Sequence, residues 1–458
     1  MKFYASLLFS TLLPLHALAQ SPASLPPAAA QASPASPSVS IAPTVRAPVP
    51  AQPLAPAVQY PLNGTPQSLT LDQAISEATR NSPQLRGAAA GIQRAEAAAV
   101  SARAYTNPSV EVYAGRQYAR PIPTPGVPGL LQHYAAYQTI EIPSERAARQ
   151  EVARAATVSS RFGQQGLLLS VTADVKKAFY AVLRRREEVE HTQESLRLVE
   201  DLRRRVAVEV NVGEKGRLEL TRTEAELARA RFAVTSARLE LANSIALLRV
   251  AIAAPAQANL DPVGTLEARV KLAPLPELRE HVFATHPALA QTRADIDTAQ
   301  AQLKDERALR IPRPIAFAEF ENQPDLRYWR TGVTVPLPLW DRRRGQIEQG
   351  KAEVSRSAAV LSQRQLELTS SLERAYEQYQ LADEQVESLQ SGELRAAESA
   401  VEGARAAYRF GERGIVEVLD AQRVLQAVRG DLVDAQYARQ SALVDLEELG
   451  AVTPERRP

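Results

Sequence analysis

Large apolar residues recur at every seventh position over two very long stretches of this chain. Leu168, Val175, Val182, Val189 and Leu196 form one series; Ile347, Val354, Leu361, Leu368, Ala375, Ala382, Leu389 and Ala396 form the other. No proline occurs from Ser144 to Gly213 or from Leu339 to Val452. A heptad pattern of this length predicts a coiled coil or a helical tube. At ~1.5 Å per residue, each helix is expected to run on the order of 100 Å.

The pattern is duplicated. Gly213-Glu214-Lys215-Gly216 returns as Gly411-Glu412-Arg413-Gly414, 198 residues later. Downstream, Leu220, Leu227, Val234, Leu241 and Leu248 match Val418, Leu425, Leu432, Arg439 and Leu446 at the same offset, with Arg439 the one break. A second line of mostly small residues, Thr223, Ala230, Ala237 and Ser244, matches Ala421, Val428, Ala435 and Ala442. Upstream, Pro83 matches Pro287 and Pro108 matches Pro312, 204 residues apart. A supersecondary unit that recurs in this way predicts a repeat architecture.

Between the helices of each copy lie short alternating segments. Val110, Val112 and Ala114 alternate with Glu111 and Tyr113, and Gln138, Ile140 and Ile142 with Thr139 and Glu141. In the second copy Ile315 and Phe317 alternate with Ala316 and Ala318, and Thr331, Val333 and Val335 with Gly332 and Thr334. Period-two alternation over such lengths predicts strands, of a size that crosses a bilayer when tilted. Aromatic residues gather around them: Tyr113, Tyr118, Tyr134, Tyr137, Phe317, Phe320, Tyr328, Trp329 and Trp340. Tyrosine and tryptophan favour a membrane–water boundary, so Tyr113, Tyr134, Tyr137, Phe317, Tyr328, Trp329 and Trp340 are candidates for an aromatic belt. Hairpins packed on a soluble core are the alternative; if the strands span a membrane, four of them cannot enclose an open lumen, and several chains must share one barrel, since lipid does not tolerate open strand edges.

The two ends read differently. Met1 to Ala19 has a lysine, a short apolar run from Leu7 to Leu13 and an Ala17-Leu18-Ala19 cleavage pattern, the signature of an export signal. Residues 20–67, rich in proline, alanine and serine, have little to bury and are expected to form a flexible leader. A first repeat is expected over 68–256, a linker over 257–273, a second repeat over 274–451 and a tail over 452–458.

Net charge is only +2, which gives no support to a nucleic-acid partner. The chain contains no cysteine, so disulfides, thiolate metal sites, a cysteine nucleophile and an acylated N-terminal cysteine are excluded. Its five histidines do not cluster, and its single methionine is Met1. No metal site, cofactor or catalytic constellation is predicted.

These features together resemble the TolC-like outer membrane efflux proteins, over nearly all of residues 68–451. The stretch Tyr408-Arg409-Phe410-Gly411-Glu412-Arg413-Gly414-Ile415-Val416-Glu417-Val418-Leu419-Asp420-Ala421-Gln422 resembles the family's turn at the periplasmic end of its tube. Leu69-Thr70-Leu71-Asp72-Gln73-Ala74 resembles its usual start. Val335-Pro336-Leu337-Pro338-Leu339-Trp340-Asp341 resembles its exit from the last strand, most like the heavy-metal branch typified by CzcC.

The resemblance implies a mainly α fold with a small β part: a homotrimer whose long helices form an α-helical barrel and whose four strands per chain make a shared twelve-stranded barrel. It implies a passive duct in the outer membrane, not an enzyme, that extends into the periplasm. The duct receives substrate, heavy-metal cations if the branch is right, from an inner-membrane pump of the resistance–nodulation–division class through a periplasmic adaptor. Drugs or secreted proteins are the alternative cargo. A soluble periplasmic coiled-coil scaffold is the alternative of another class.

Two site expectations follow from the resemblance. The turns are candidate adaptor contacts, through Gly213, Gly216, Leu218, Leu220, Gly411, Gly414, Ile415, Val416 and Val418. Glu402 and Arg405 stand where closed family members carry acidic gate residues. Arg405 departs from that pattern, so a mixed-charge ring is expected in place of an acidic one.

Overall fold

The computed structural model describes residues 67–117, 129–324 and 326–452. The export signal, the leader up to residue 66, Tyr118 and the tail after Val452 lie outside the described residues.

The first repeat begins with strand β1 (Gln67–Leu69), helix α1 (Leu71–Asn81) and helix α2 (Pro83–Arg103). Thr70 caps α1: its hydroxyl accepts from the Gln73 N–H, and the Gln73 side chain returns a bond to the Thr70 N–H. This reciprocal box satisfies two donors that the first helical turn leaves free. Ser82 caps α2, with Pro83 just inside the helix. Strands β2 (Ser109–Gln117) and β3 (Gly129–Thr139) follow, then the long helix α3 (Pro143–Asn211) and its partner α4 (Arg217–Ala251).

The second repeat runs in the same order. Strand β4 (Leu260–Pro262) pairs in parallel with β1. Then come α5 (Leu275–Thr285), α6 (Pro287–Ala308), β5 (Ile315–Asn322), β6 (Arg327–Thr334) and α7 (Arg344–Ser388). A five-residue π turn, Leu389–Glu393, leads into α8 (Leu394–Arg409), and α9 (Ile415–Glu448) closes the chain's described part.

Two expectations are corrected here. Ile140, Ile142 and Val335 are not in strands: β3 ends at Thr139, Ile142 already caps α3, and β6 ends at Thr334, just before Pro336. Pro143 lacks an N–H and suits the first helical position, which pulls the helix start forward. The second long helix is also not uniform. At Leu389–Glu393 the Leu394 N–H reaches back five residues to the Leu389 carbonyl, which widens one turn.

Strands β2, β3, β5 and β6 form one antiparallel sheet in that order. The helical part packs along the heptad seams. Val175, Val182, Phe179, Leu183 and Leu248 join Leu69, Ala74, Leu260 and Leu266 in the largest core cluster. A second cluster joins Leu278, Val282, Leu372, Tyr379, Leu443 and Leu446. Fully buried Glu145 at the start of α3 takes the Arg313 guanidinium at 2.5 Å, which ties the entry to β5 to the first repeat. Among the described residues no helix is long and apolar enough to cross a membrane.

Candidate functional site

Three regions carry the candidate residues: the helical turns, the cleft behind them and the sheet. The turns are alike in backbone. Gly213 and Gly411 have φ of 84° and 73°. The Glu214 N–H bonds to the Glu209 carbonyl and the Gly213 N–H to that of Val210; Glu412 with Ala407 and Gly411 with Tyr408 repeat both bonds. This is the Schellman closure, and its left-handed residue is best met by glycine. Gly216 and Gly414 cap the returning helices with extended backbone.

The side chains around the turns divide by burial. Leu218 and Val416 are exposed. Ile415 and Val418 are buried, and with Leu419, Tyr408 and Val206 they form the core of the tip, with Leu220 packed against it. Helical spacing from Ile415 directs positions 415, 418, 419 and 422 inward, which leaves Val416 outside. The sequence reading missed two large exposed residues at the reversals themselves, Val212 and Phe410, the latter 80% exposed. Their signal was available: each sits directly before the left-handed glycine, where the chain leaves the helix.

Glu402 and Arg405 line a cleft of about 330 Å³ between α3, α8 and α9, shared with Asp201, Arg205, Tyr408 and Gln422. They do not pair with each other within the chain. Arg405 donates to the Gln422 amide oxygen at 3.4 Å, and Glu402 is exposed. A residue outside the expected set ties the two hairpins together instead. The Tyr408 hydroxyl donates to Glu209 at 2.5 Å, and the Lys215 ammonium sits 5.5 Å from the centre of its ring. Burial, and then the Glu209 carboxylate, push the Tyr408 phenol well above its ordinary range, so it remains a donor.

The sheet has two chemically distinct faces. Register places Val110, Ala136, Ala318 and Thr331 in one row and Val112, Tyr134, Phe320 and Trp329 in the next, all on the same face. Val110, Val112, Tyr134, Phe320, Trp329 and Val333 on this face are exposed in the single chain. The opposite face carries a row of Glu111, Ala135, Glu319 and Arg330, then a row of Tyr113, His133, Glu321 and Tyr328. The candidate belt is therefore divided. Tyr134 and Trp329 lie on the apolar face with Phe320. Tyr113, Tyr137, Phe317 and Tyr328 lie on the polar face, where Tyr137 donates to Glu319 at 3.1 Å, Tyr328 donates to Glu321, and Tyr113 stacks on His133 at 4.3 Å. Trp340 lies beyond β6 and is 92% exposed.

Among the described residues no group of three or more His, Cys, Asp or Glu side chains is placed to hold a metal ion.

Comparison with known proteins agrees with this geometry. The family described as Outer membrane efflux protein matches residues 74–254 and 278–451. The "Cobalt-zinc-cadmium resistance protein CzcC" of Cupriavidus metallidurans is 27% identical over 375 residues, covering 79% of this chain and 85% of that protein. "Protein CyaE" of Bordetella pertussis is also 27% identical, over 341 residues, covering 70% of this chain and 72% of its own length. Among solved structures, the outer-membrane channel OprN superposes with a TM-score of 0.72 at 18% identity, covering 83% of this chain and 90% of that one. CusC gives 0.70 at 19% identity, covering 83% and 91%.

Proposed function

Because this chain belongs to the outer membrane efflux protein family, whose members are passive outer-membrane channels and not enzymes, we propose that three copies of it form the exit duct of a tripartite efflux system. The observation that carries this reading is the two-faced, open-edged sheet. In its two central rows one face is apolar but for Thr331 across four strands, and in the two rows that alternate with them the other is charged and tyrosine-rich. Among the described residues, strands β2 and β6 have no partner on their outer sides. In lipid such edges must be closed, and identical copies provide matching ones. A twelve-stranded barrel from three copies places the apolar rows toward lipid, with Tyr134, Phe320 and Trp329 as its aromatic row.

The helices support the same assembly. Besides its buried seam, α4 carries Leu218, Phe232, Leu239, Leu247 and Val250 exposed along its length. A second apolar line on a long helix suits neighbours from other copies in a helical tube. The turns then lie at the periplasmic mouth, where Val212, Leu218, Phe410 and Val416 meet a periplasmic adaptor that leads to an inner-membrane pump. Glu402, Arg405 and Tyr408 lie just behind that mouth and restrict it in the closed state.

We assign heavy-metal cations as cargo, on the relatedness to CzcC. The chain supplies the duct, and the pump supplies choice and energy. Deletion of the gene is expected to sensitise cells to cobalt, zinc or cadmium while tolerance of organic toxins is unchanged. Sensitivity to organic toxins alone, or loss of a secreted protein, would move the cargo to one of the alternatives.

A further inference from the structure

We propose that the outer end of the sheet's lipid-facing side binds the phosphorylated headgroup of an outer-leaflet lipid, between Arg327 of one copy and Arg116 of the next; the proposal rests on the duct reading, which closes β6 of each copy against β2 of its neighbour. Beyond the row of Val112, Tyr134, Phe320 and Trp329, the same face continues with Ala114, Gln132, Asn322 and Arg327, and then with Arg116 and Leu130. These rows lie next to the two hairpin connections, at the end of the sheet away from the helices. With the helices in the periplasm, as in the family, that end is the outer one. Apolar side chains thus give way to polar ones one row past the aromatic residues, about 7 Å along the strands. Aromatic residues mark the boundary of the hydrocarbon, so the polar rows stand at headgroup level.

The charges of the sheet are sorted by face. Glu111, Glu319 and Glu321 all stand on the polar side, where Arg330 pairs with Glu319. The lipid-facing side carries Arg116 and Arg327 and, among the described strand residues, no acid. Both arginines are exposed, and neither has an ion pair among the described residues. Arg327 is nevertheless anchored: its Nε donates to the Asn322 amide oxygen at 2.8 Å, and the Asn322 amide nitrogen donates to Gln132 at 2.9 Å. The two terminal nitrogens of the guanidinium, the pair that grips a phosphate, have no hydrogen bond among the described residues. A guanidinium on a lipid-facing strand is costly at mid-bilayer and nearly free beside the headgroups. Arg116 and Arg327 stand on the two edge strands, so each seam of a closed barrel receives one from either copy. Two positive charges with no counter-charge suit a lipid that bears phosphate monoesters. A zwitterionic headgroup brings an ammonium that they repel.

The test titrates the full chain, purified in detergent, with diphosphoryl lipid A and reads the bound species by native mass spectrometry. The assembled protein is expected to take one lipid per seam, at concentrations where phosphatidylethanolamine does not bind. Arg116→Gln/Arg327→Gln is expected to raise the half-saturating concentration about tenfold or more, and each single variant to give part of that shift. Arg330→Gln, the same charge change on the polar face, is expected to leave binding as it is. Millimolar inorganic phosphate is expected not to compete, because the acyl chains on the apolar rows contribute to binding. Unchanged affinity in the double variant, an equal loss in Arg330→Gln, equal binding of phosphatidylethanolamine, or displacement by free phosphate overturns the proposal while the duct reading stands. A parent protein whose spectra show single chains only overturns both.

Discussion

Arg439 and Asp383 form a buried ion pair at 3.1 Å in the place where the repeat calls for leucine. The matching residue of the first copy is Leu241, part of the apolar seam of α4. In the second copy the Arg439 side chain is 6% exposed and its Nε has no partner. Asp383 also receives Arg269 from the segment between the repeats, and Arg269 continues to Glu387. The neighbouring Gln440 donates to the carbonyls of Leu266 and Ala268 in the same segment. This network braces α7 and α9 one to two turns before the π turn at Leu389. The second hairpin is thus held by polar contacts where the first is held by leucine packing.

Replacing Arg439 with the leucine of the first copy tests that contrast. Arg439→Leu leaves Asp383 with Arg269 alone, and the expected loss is about 1–3 kcal/mol. Arg439→Leu combined with Asp383→Leu removes both charges, and the expected loss is smaller than for either single change. Denaturant unfolding of the four proteins in a double-mutant cycle measures the coupling directly.

The helix caps give a pH prediction. Ser82 and His286 hold the same place in the two repeats, and His286 caps α6 by accepting the Ala288 N–H on its Nδ1 at 3.1 Å. Burial, with Arg364 nearby, lowers the His286 pKa from 6.5, against a backbone contact with Glu448 that raises it. The folded state therefore binds fewer protons than the unfolded state just below pH 6.5. Stability that is full above that pH falls as the medium is acidified. His286→Ser installs a cap that does not titrate. The thermal midpoint of the variant, followed from pH 8 down to pH 5, is expected to fall less steeply than that of the parent.

The tip residues divide into surface and core, and two substitutions separate them. Phe410→Asp is expected to leave folding and assembly intact and to abolish crosslinking to the adaptor. Val418→Ala is expected to destabilise the tip by about 1–2 kcal/mol through the lost methyl groups, with adaptor crosslinking retained at low temperature. The opposite pattern would return Val418 to the contact surface.

The left-handed turn residue gives a graded series. Asparagine tolerates the left-handed region and β-branched residues do not. Gly411→Asn is therefore expected to fold and function, whereas Gly411→Val costs about 2 kcal/mol or more and straightens the turn. Limited proteolysis at residues 410–414 reads out the difference.

Tyr408→Phe tests the tie between the hairpins. The bond to Glu209 is charge-assisted and of a kind worth about 1.5–3 kcal/mol. Its loss is expected to raise the open probability of single channels more than Glu402→Ala does, since exposed Glu402 has no hydrogen bond or ion pair among the described residues.

How much of this was legible in the sequence follows from what periodicity can encode. Heptads and paired glycines are local, so the long helices, both reversals and the duplication were readable from residues such as Val182 and Gly411. Strand existence was readable too, and alternation alone puts Tyr134 and Tyr137 on opposite sides of β3; which side is the apolar one follows only from their neighbours on β2 and β5. Ile415 and Val416 likewise stand about 100° apart on their helix, and packing against Val206 and Tyr408 makes Ile415 the buried one. The role of Tyr408 was hidden because its partner, Glu209, lies in the other repeat. The π turn was hidden because the seam residues on either side of it keep their spacing.

The account stands or falls on three chains closing one barrel. The chain has no cysteine, so a cysteine placed at Val112 on β2 and a second scanned over Trp329, Thr331 and Val333 on β6 report the seam between copies and nothing else. Oxidation in isolated outer membranes is expected to give, for at least one pair, a denatured ladder of one, two and three linked chains that stops at three. Single chains only, at every pair, or a ladder that continues past three, would contradict it.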